Sequence, residues 1–196
     1  QDDWEKRIEG CGCTGGGKFW DVKGARVTNN YVHDNLSVGL WADTNDIDFL
    51  SDGNWIENNS DEAIFYEVSY NAVIRNNVIK RNAIKKGQEF ASQGDNFPIT
   101  AVYISESGGD SRVASATTET ANLEINNNYF EDNWGGVALW ENADRYCNSP
   151  ANTSGGYCTS VNPSVKLNTC ASGTINNQPY YSDCRWKTQN VSVHDN

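Results

Sequence analysis

A short segment recurs every 23 or 24 residues along this chain and limits the folds that it can adopt. Each copy has one or more asparagines between apolar residues, and the copies are 27–32, 52–56, 74–79 and, after an interruption, 124–130. A fixed period of this size is typical of stacked-repeat architectures, in which each copy packs against its neighbours. Equivalent side chains of successive copies should therefore lie in columns, and each candidate residue is best interpreted as a member of its column.

Each copy is predicted to contain two short strands separated by a turn. The strands are rich in β-branched and aromatic residues, and Asn, Asp and Gly bound them. Apart from a short turn of helix within 81–90, we find no helical periodicity. Short strands at a fixed period predict an all-β coil of parallel strands with rungs about 4.8 Å apart. We expect a single domain over 1–196, with insertions near 83–100 and 143–186.

Asparagine recurs in two columns, and this favours a structural role for them. The columns are Asn30, Asn54, Asn77 and Asn128, and Asn35, Asn59, Asn82 and Asn133. Asparagine tolerates the left-handed conformation of a sharp turn, and stacked amides can hydrogen-bond from rung to rung. We also align His33 with His194, because each lies in the tetrapeptide Val-His-Asp-Asn.

The amino-acid composition limits the classes of partner that the protein could bind. The formal net charge of −11 disfavours nucleic acids, whose binding needs a basic surface, and it also disfavours anionic membranes. No apolar run reaches the roughly 20 residues that a membrane span requires. The sequence contains no Met and stops inside a repeat. We therefore expect it to be a segment of a longer polypeptide, with the remainder completing the coil.

The six cysteines favour disulfides in an oxidising compartment, and hence a secreted protein. Proximity in sequence favours two pairs, Cys147 with Cys158 and Cys170 with Cys184, which leaves Cys11 with Cys13. A zinc site is the rival interpretation. The spacings lack the paired Cys-x-x-Cys pattern that a zinc site would favour.

The pattern Asn-Asn-x-(Val/Ile)-x-x-Asn followed by Gly-(Leu/Ile/Val)-x-x resembles the repeat of right-handed parallel β-helices of the pectate-lyase-like superfamily. Segments 39–43, 103–109 and 180–186 resemble secreted bacterial, actinobacterial proteins of that class. The resemblance covers about 18–196 and implies a right-handed coil. It leaves activity open, since this fold carries lyases, hydrolases, epimerases and non-catalytic proteins.

The second strands suggest a column of acids. Aligning the copies places a carboxylate at one position in each of them: Asp43, Glu67, Glu106 and Glu141. Neighbouring rungs would separate carboxylates by about 5 Å and alternate rungs by about 10 Å. Glycosidases need about 5–5.5 Å or about 6.5–9.5 Å, so the column suits either geometry. Two of Glu67, Glu106 and Glu141 would act as acid and as base or nucleophile.

Two other interpretations of the acids stay open. A Ca²⁺ could lie between Asp43 and Glu67, because this cation prefers several carboxylate oxygens. Alternatively, each acid is structural and pairs with a neighbouring base or a backbone N–H. A lyase would need a basic residue, and Arg145 is the candidate, with a salt bridge to Asp144 or Glu141 as the alternative.

Strand alternation predicts which side chains face outward. We expect an interior face formed by Trp41, Phe65, Ile104 and Leu139. The outer face would then carry Tyr66, Tyr103 and Trp140 beside the acids, an arrangement that suits sugar rings. Alternatively, the insertion at 83–100 covers these rings. The combination predicts an extracellular protein that binds and cleaves a polysaccharide, as a glycoside hydrolase or polysaccharide lyase, with a non-catalytic adhesion protein as the alternative.

Overall fold

The computed structural model describes residues 15–95, 97–111, 113–141 and 187–196, which form three sheets and one helix. Sheet one contains β1 (Gly15–Trp20), β4 (Val38–Asp43), β7 (Ile64–Glu67), β10 (Val102–Ser105) and β13 (Val137–Trp140). Sheet two contains β2 (Arg26–Thr28), β5 (Ile47–Asp52), β8 (Tyr70–Arg75), β11 (Leu123–Asn126) and β14 (Val191–His194). Sheet three contains β3 (Tyr31–His33), β6 (Trp55–Glu57), β9 (Val78–Lys80) and β12 (Tyr129–Glu131), and the helix α1 is Ile84–Ser92.

The strands form a parallel β-helix, as the repeat predicts. Neighbouring strands within each sheet come from successive turns of the coil, and all the described pairs are parallel. The prediction of two strands in each repeat is wrong, because each turn has three. In each turn, one left-handed residue divides the first predicted strand into a part in sheet two and a part in sheet three. These residues are Asn29, Gly53, Asn76 and Asn127, with φ of 55°, 68°, 55° and 53°.

Both predicted asparagine ladders are confirmed. In the first ladder, Asn54 donates from its backbone N–H and from Nδ2 to Asn77 Oδ1, each at 3.0 Å. In the second, Asn59 Nδ2 donates to Asn82 Oδ1 at 2.8 Å. The ladder side chains of the inner turns are buried, so these amides satisfy backbone groups that would otherwise lie unpaired inside the corners.

The alignment of His33 with His194 is wrong. His33 lies in sheet three opposite Glu57, whereas His194 lies in sheet two opposite Asn126. The shared tetrapeptide therefore occupies two different corners. Asn196 consequently extends the first ladder, where it accepts from Asn128 Nδ2 at 2.8 Å.

The predicted inner and outer faces of sheet one need correction. Two columns of side chains, one that contains Leu40 and one that contains Ala42, line the interior of the coil. Their buried members include Leu40, Ala42, Ile64, Tyr66, Val102 and Ile104. Ile104 is interior as predicted. Trp41 and Phe65 face outward and Tyr66 faces inward, contrary to prediction. The cause is the register, which pairs Ile104 with Tyr66 rather than with Phe65.

Two segments leave the regular coil. The first carries α1 between β9 and β10, within the insertion expected near 83–100. The second connects β10 to β11 and packs on sheet two, where Val113 contacts the cluster of Ile47, Val68 and Tyr70. The α1 helix has nine residues, and none of the helices in the described ranges has the length and apolarity to cross a membrane.

Candidate functional site

The outer face of sheet one carries a continuous stack of side chains. Register places Lys18, Trp41, Phe65 and Tyr103 side by side on successive strands. The rings of Trp41 and Phe65 are 5.3 Å apart and nearly parallel, and those of Phe65 and Tyr103 are 4.9 Å apart. Lys18 Nζ lies 3.5 Å from the Trp41 ring centroid, a cation–π contact at the end of the stack.

Asp43 and Glu67 follow this stack and lie in register on β4 and β7. Both are nearly buried. Asp43 Oδ2 is 3.0 Å from Lys18 Nζ, and Glu67 Oε2 accepts from Trp41 Nε1 at 3.0 Å. These contacts match the structural interpretation of the two acids, since each is held by a neighbour in the stack.

The predicted column of four acids is divided into two. Glu67 pairs with Ser105, so Glu106 lies one residue beyond it, and β13 continues this offset to Glu141. Glu106 follows the last residue of β10 and has a left-handed backbone, with φ of 46°. Val68 has the same role after β7 in the preceding turn, with φ of 41°. The prediction of one column is therefore wrong: Asp43 aligns with Glu67, and Glu106 aligns with Glu141.

Glu106 and Glu141 have different surroundings. Glu106 is fully buried and accepts from Ser105 Oγ at 2.6 Å. Glu141 is exposed and accepts from the backbone N–H of Thr188 at 2.8 Å. The Glu106 N–H donates to the carbonyl of Trp140, the residue before Glu141, at 2.9 Å. The pair therefore combines a buried and an exposed carboxyl group on neighbouring rungs.

Of the three predicted sugar-binding rings, one is substantially exposed. Tyr66 lies inside the coil, where its hydroxyl donates to Asp46 O and Tyr70 O. Tyr103 faces outward but is covered, and its burial raises its pKa. Trp140 is 40% exposed. Phe97 accounts for part of this cover, because its ring lies 5.8 Å from that of Tyr103, as the insertion hypothesis expected.

The described part of the chain contains an aromatic cleft beside these rings. It is lined by Phe90, Phe97 and Trp134 together with Gly87, Ala91, Gly94 and Asp95, and its volume is about 320 Å³. Phe97 connects the cleft to sheet one, since its ring centroid lies 6.0 Å from that of Phe90 and 6.1 Å from that of Trp140. The aromatic cleft and Trp140 thus form one partly exposed aromatic surface.

Gly87 positions Trp134 against α1. A Cβ at Gly87 would lie 2.1 Å from Trp134 Cδ2, which no real contact allows, so the indole packs directly on the helix backbone. The sequence interpretation missed Phe90, Phe97 and Trp134. The two phenylalanines lie in a segment without repeat periodicity, and Trp134 follows the ladder residue Asn133 without a counterpart in other copies.

Asp46 is a further buried acid, and it lies outside both carboxyl pairs. Its Oδ1 accepts from the Val22 N–H at 2.7 Å, while Oδ2 makes no hydrogen bond with any described residue. Burial raises the pKa of Asp46 to about 7. The carboxyl group occupies the place that Ser69 and Ser107 take in the next turns, where the hydroxyls accept from the preceding rung.

Several predicted residues lie outside the described ranges. These are Arg145 and the six cysteines, Cys11, Cys13, Cys147, Cys158, Cys170 and Cys184. The calcium hypothesis for Asp43 and Glu67 concerns described residues, and there a cation would compete with the Lys18 ammonium group. The described residues contain no group of three or more His, Cys, Asp or Glu that could hold a metal ion.

Comparison with known proteins identifies the coil. The family model for the right-handed beta helix region matches residues 5–115, which is more than half of the chain. Neither the curated proteins nor the solved structures include a significant match. The family match agrees with the three parallel sheets and supplies the hand of the coil.

Proposed function

Because this chain belongs to the right-handed β-helix family, we propose that it is an extracellular carbohydrate-active protein that binds a polysaccharide on the outer face of sheet one. The observation that carries this proposal is the aromatic cleft of Phe90, Phe97 and Trp134, which opens beside the exposed ring of Trp140. Aromatic faces suit the C–H faces of sugar rings, while polar groups at the edge bind hydroxyls.

The composition of the cleft supports a glycan ligand. Its volume of about 320 Å³ lies at the lower end of the range for ligand pockets, which are mostly apolar with a few polar groups. Asp95 supplies a carboxylate at the cleft, and its Oδ1 accepts from the Phe97 N–H at 2.9 Å. The cleft would hold a short part of the polysaccharide, and Trp140 would extend the contact along sheet one.

Cleavage is a second candidate function, and the pair Glu106 and Glu141 favours it. Neighbouring strands are about 4.8 Å apart, close to the carboxyl separation of about 5–5.5 Å in retaining glycosidases. Glu141, which is exposed, would be the nucleophile, and Glu106 would be the proton donor once its side chain turns out of its fully buried position. Asp43 and Glu67 are weaker candidates, since Lys18 and Trp41 already hold them.

A lyase or epimerase is the form of this function that would use Arg145 and calcium. Arg145 would act as the base, and Ca²⁺ held by Asp43 and Glu67 would neutralise an acidic sugar. This form predicts that a chelator abolishes activity and that the product absorbs in the ultraviolet. The resemblance to secreted actinobacterial proteins of the pectate-lyase-like superfamily supports secretion, and the six cysteines support disulfides.

The test is a panel of neutral and acidic plant and bacterial polysaccharides. Affinity electrophoresis would measure retardation, and a reducing-sugar assay would measure cleavage. We expect retardation by at least one polysaccharide and loss of that retardation in Trp134→Ala. Retardation without sugar release would identify the non-catalytic adhesion protein. A lack of retardation across the panel would contradict the proposed function.

A further inference from the structure

Sheet three carries a row of exposed aromatic side chains that the sequence interpretation did not use. We call Tyr31, Trp55 and Tyr129 the third-sheet strip. Register places them in one outward column on β3, β6 and β12, with Val78 of β9 between the last two. Their exposed fractions are 59%, 44% and 55%. From the strand spacing, the strip extends over about 14 Å along the coil.

Successive side chains of a strand point to opposite faces, so the strip lies on the side of sheet three that faces away from the core. The residues that follow each strip member are Val32, Ile56 and Phe130, which are in or against the core cluster. The interior side of each strand therefore provides its stability, and the strip side chains are not needed to fill the coil. Large apolar side chains in a row at the surface usually mark a binding surface.

The two tyrosine hydroxyls of the strip are held in place by carboxylates. Tyr31 donates to Glu57, and Tyr129 donates to Glu131 at 2.8 Å. The hydrogen bond from Tyr31 lowers the pKa of Glu57, and the bond from Lys80 is the main cause of the lowered pKa of Glu131. Both acids are therefore ionised at neutral pH and keep accepting from the tyrosines. The His33 ring stacks on Tyr31 at 4.0 Å.

The cations that border the strip are already paired. Lys80 Nζ is 2.9 Å from Glu131, and Arg81 Nη2 is 2.6 Å from Glu57. Lys80 also lies over two strip rings, 5.3 Å from Trp55 and 5.1 Å from Tyr129. A polyanion would need cations that are free to bind it, and these are committed to carboxylates. The paired charges favour an uncharged ligand with hydroxyl groups.

We propose that the third-sheet strip is a second carbohydrate-binding site, which attaches the protein to the surface of an uncharged, insoluble polysaccharide. The class of ligand rests on the proposed function, but the residues are independent of the aromatic cleft. The rings of a regular sheet form a row and not a pocket, so they suit a flat surface better than a single flexible chain. The paired carboxylates and Lys80 border the row with groups that bind hydroxyls.

Adsorption of the whole chain to four washed solids would test the strip: cellulose, chitin, mannan and debranched xylan. We expect the wild type to adsorb to at least one solid. Trp55→Ala and Tyr129→Ala should each weaken adsorption by about tenfold, or 1.4 kcal/mol. Trp55→Phe keeps a ring and should retain most of the adsorption. The matched control is Trp20→Ala, which removes a 60% exposed aromatic from β1, at the opposite edge of sheet one from Trp140 and the aromatic cleft.

Several outcomes would contradict the proposal that the third-sheet strip binds a polysaccharide surface. They are adsorption to none of the four solids, unchanged adsorption in both alanine variants, and an equal loss in Trp20→Ala. Circular dichroism would verify that the variants fold. Trp134→Ala distinguishes the two sites: it should weaken binding of soluble chains and leave adsorption unchanged. If Trp134→Ala alone abolishes adsorption, the cleft is the attachment site. If Trp55→Ala instead abolishes self-association in sedimentation and the solids are not bound, the strip is a contact between copies.

Discussion

Glu67 lies in register with Ser105 on the neighbouring strand, so Glu106 lies one residue beyond the carboxyl column that begins at Asp43. This offset changes which acids can act together. Asp43 contacts Lys18 and Glu67 accepts from Trp41, so both acids are held by the stack beside them. Glu106 and Glu141 form the second pair, in which one member is buried and the other exposed.

If the protein cleaves its polysaccharide, the offset predicts which acids matter. Glu106→Gln should lower the rate of reducing-sugar release by about 100-fold or more, the usual size of a general acid–base contribution, and Glu141→Gln, which removes the nucleophile, should lower it at least as much. Glu67→Gln is the matched control, because the glutamine oxygen can still accept from Trp41. Full activity of Glu106→Gln, or an equal loss in Glu67→Gln, would contradict this assignment.

Each asparagine of the first ladder should contribute to the free energy of unfolding in proportion to the hydrogen bonds that it makes. Asn77 is buried and accepts from two groups of Asn54, and its own N–H and Nδ2 donate to Asn128. Asn77→Ala removes the acceptor of the Asn54 N–H and Nδ2 and the donor to Ser51 O, and it should lower the free energy of unfolding by about 2–3 kcal/mol. Asn30→Ala, at the exposed end of the ladder, should cost less than half as much. Urea unfolding would compare them, and equal costs would contradict the ladder's role.

Asp46 should make stability depend on pH. Its folded pKa of about 7 lies above the unfolded value near 3.9, so the folded state binds the proton more tightly. The stabilisation is therefore complete below about pH 4 and is lost as pH rises towards 7, by about 1.4 kcal/mol per pKa unit. Asp46→Ser, which copies Ser69 and Ser107 of the next turns, should flatten this dependence and stabilise the protein at pH 8.

Urea unfolding at pH 5 and pH 8 measures the Asp46 effect. The matched control is Glu89→Gln on the exposed side of α1, which should keep the wild-type pH dependence. A pH dependence that is the same in Asp46→Ser and the wild type would show that Asp46 does not titrate in this range.

Gly87 should be required for the shape of the aromatic cleft. Because a Cβ at Gly87 would overlap the Trp134 indole, Gly87→Ala forces the ring or the helix to move. We expect a loss of about 1–3 kcal/mol in the free energy of unfolding, as for other overpacked sites, together with weaker glycan binding. Gly136→Ala is the control, since nothing lies within 4 Å of its added Cβ. Unchanged stability and affinity in Gly87→Ala would contradict the packing.

The period and the ladders could be predicted from the sequence because both depend on local chemistry. A left-handed corner favours Asn or Gly, and the asparagine that follows it repeats from turn to turn. The faces of sheet one were not predictable in the same way. Aligning the copies on their acids shifted Ile104 by one residue, and a shift of one residue exchanges the inner and outer faces.

The candidate sites show a similar division. The third-sheet strip has a sequence signal, since an aromatic residue follows the ladder asparagine at Tyr31, Trp55 and Tyr129. The aromatic cleft has no such signal. Phe90 and Phe97 lie in an insertion, so their approach to Trp134 depends on how α1 packs beside sheet one, which no repeat pattern encodes.

The most direct test of the central claim is the affinity of the protein for a soluble oligosaccharide of whichever polysaccharide retards it most. Isothermal titration would compare the wild type with Trp134→Ala, and with Trp20→Ala as the exposed-aromatic control. We expect Trp134→Ala to weaken binding by about tenfold or more, or 1.4 kcal/mol, and Trp20→Ala to bind like the wild type. Wild-type affinity in Trp134→Ala would contradict this expectation.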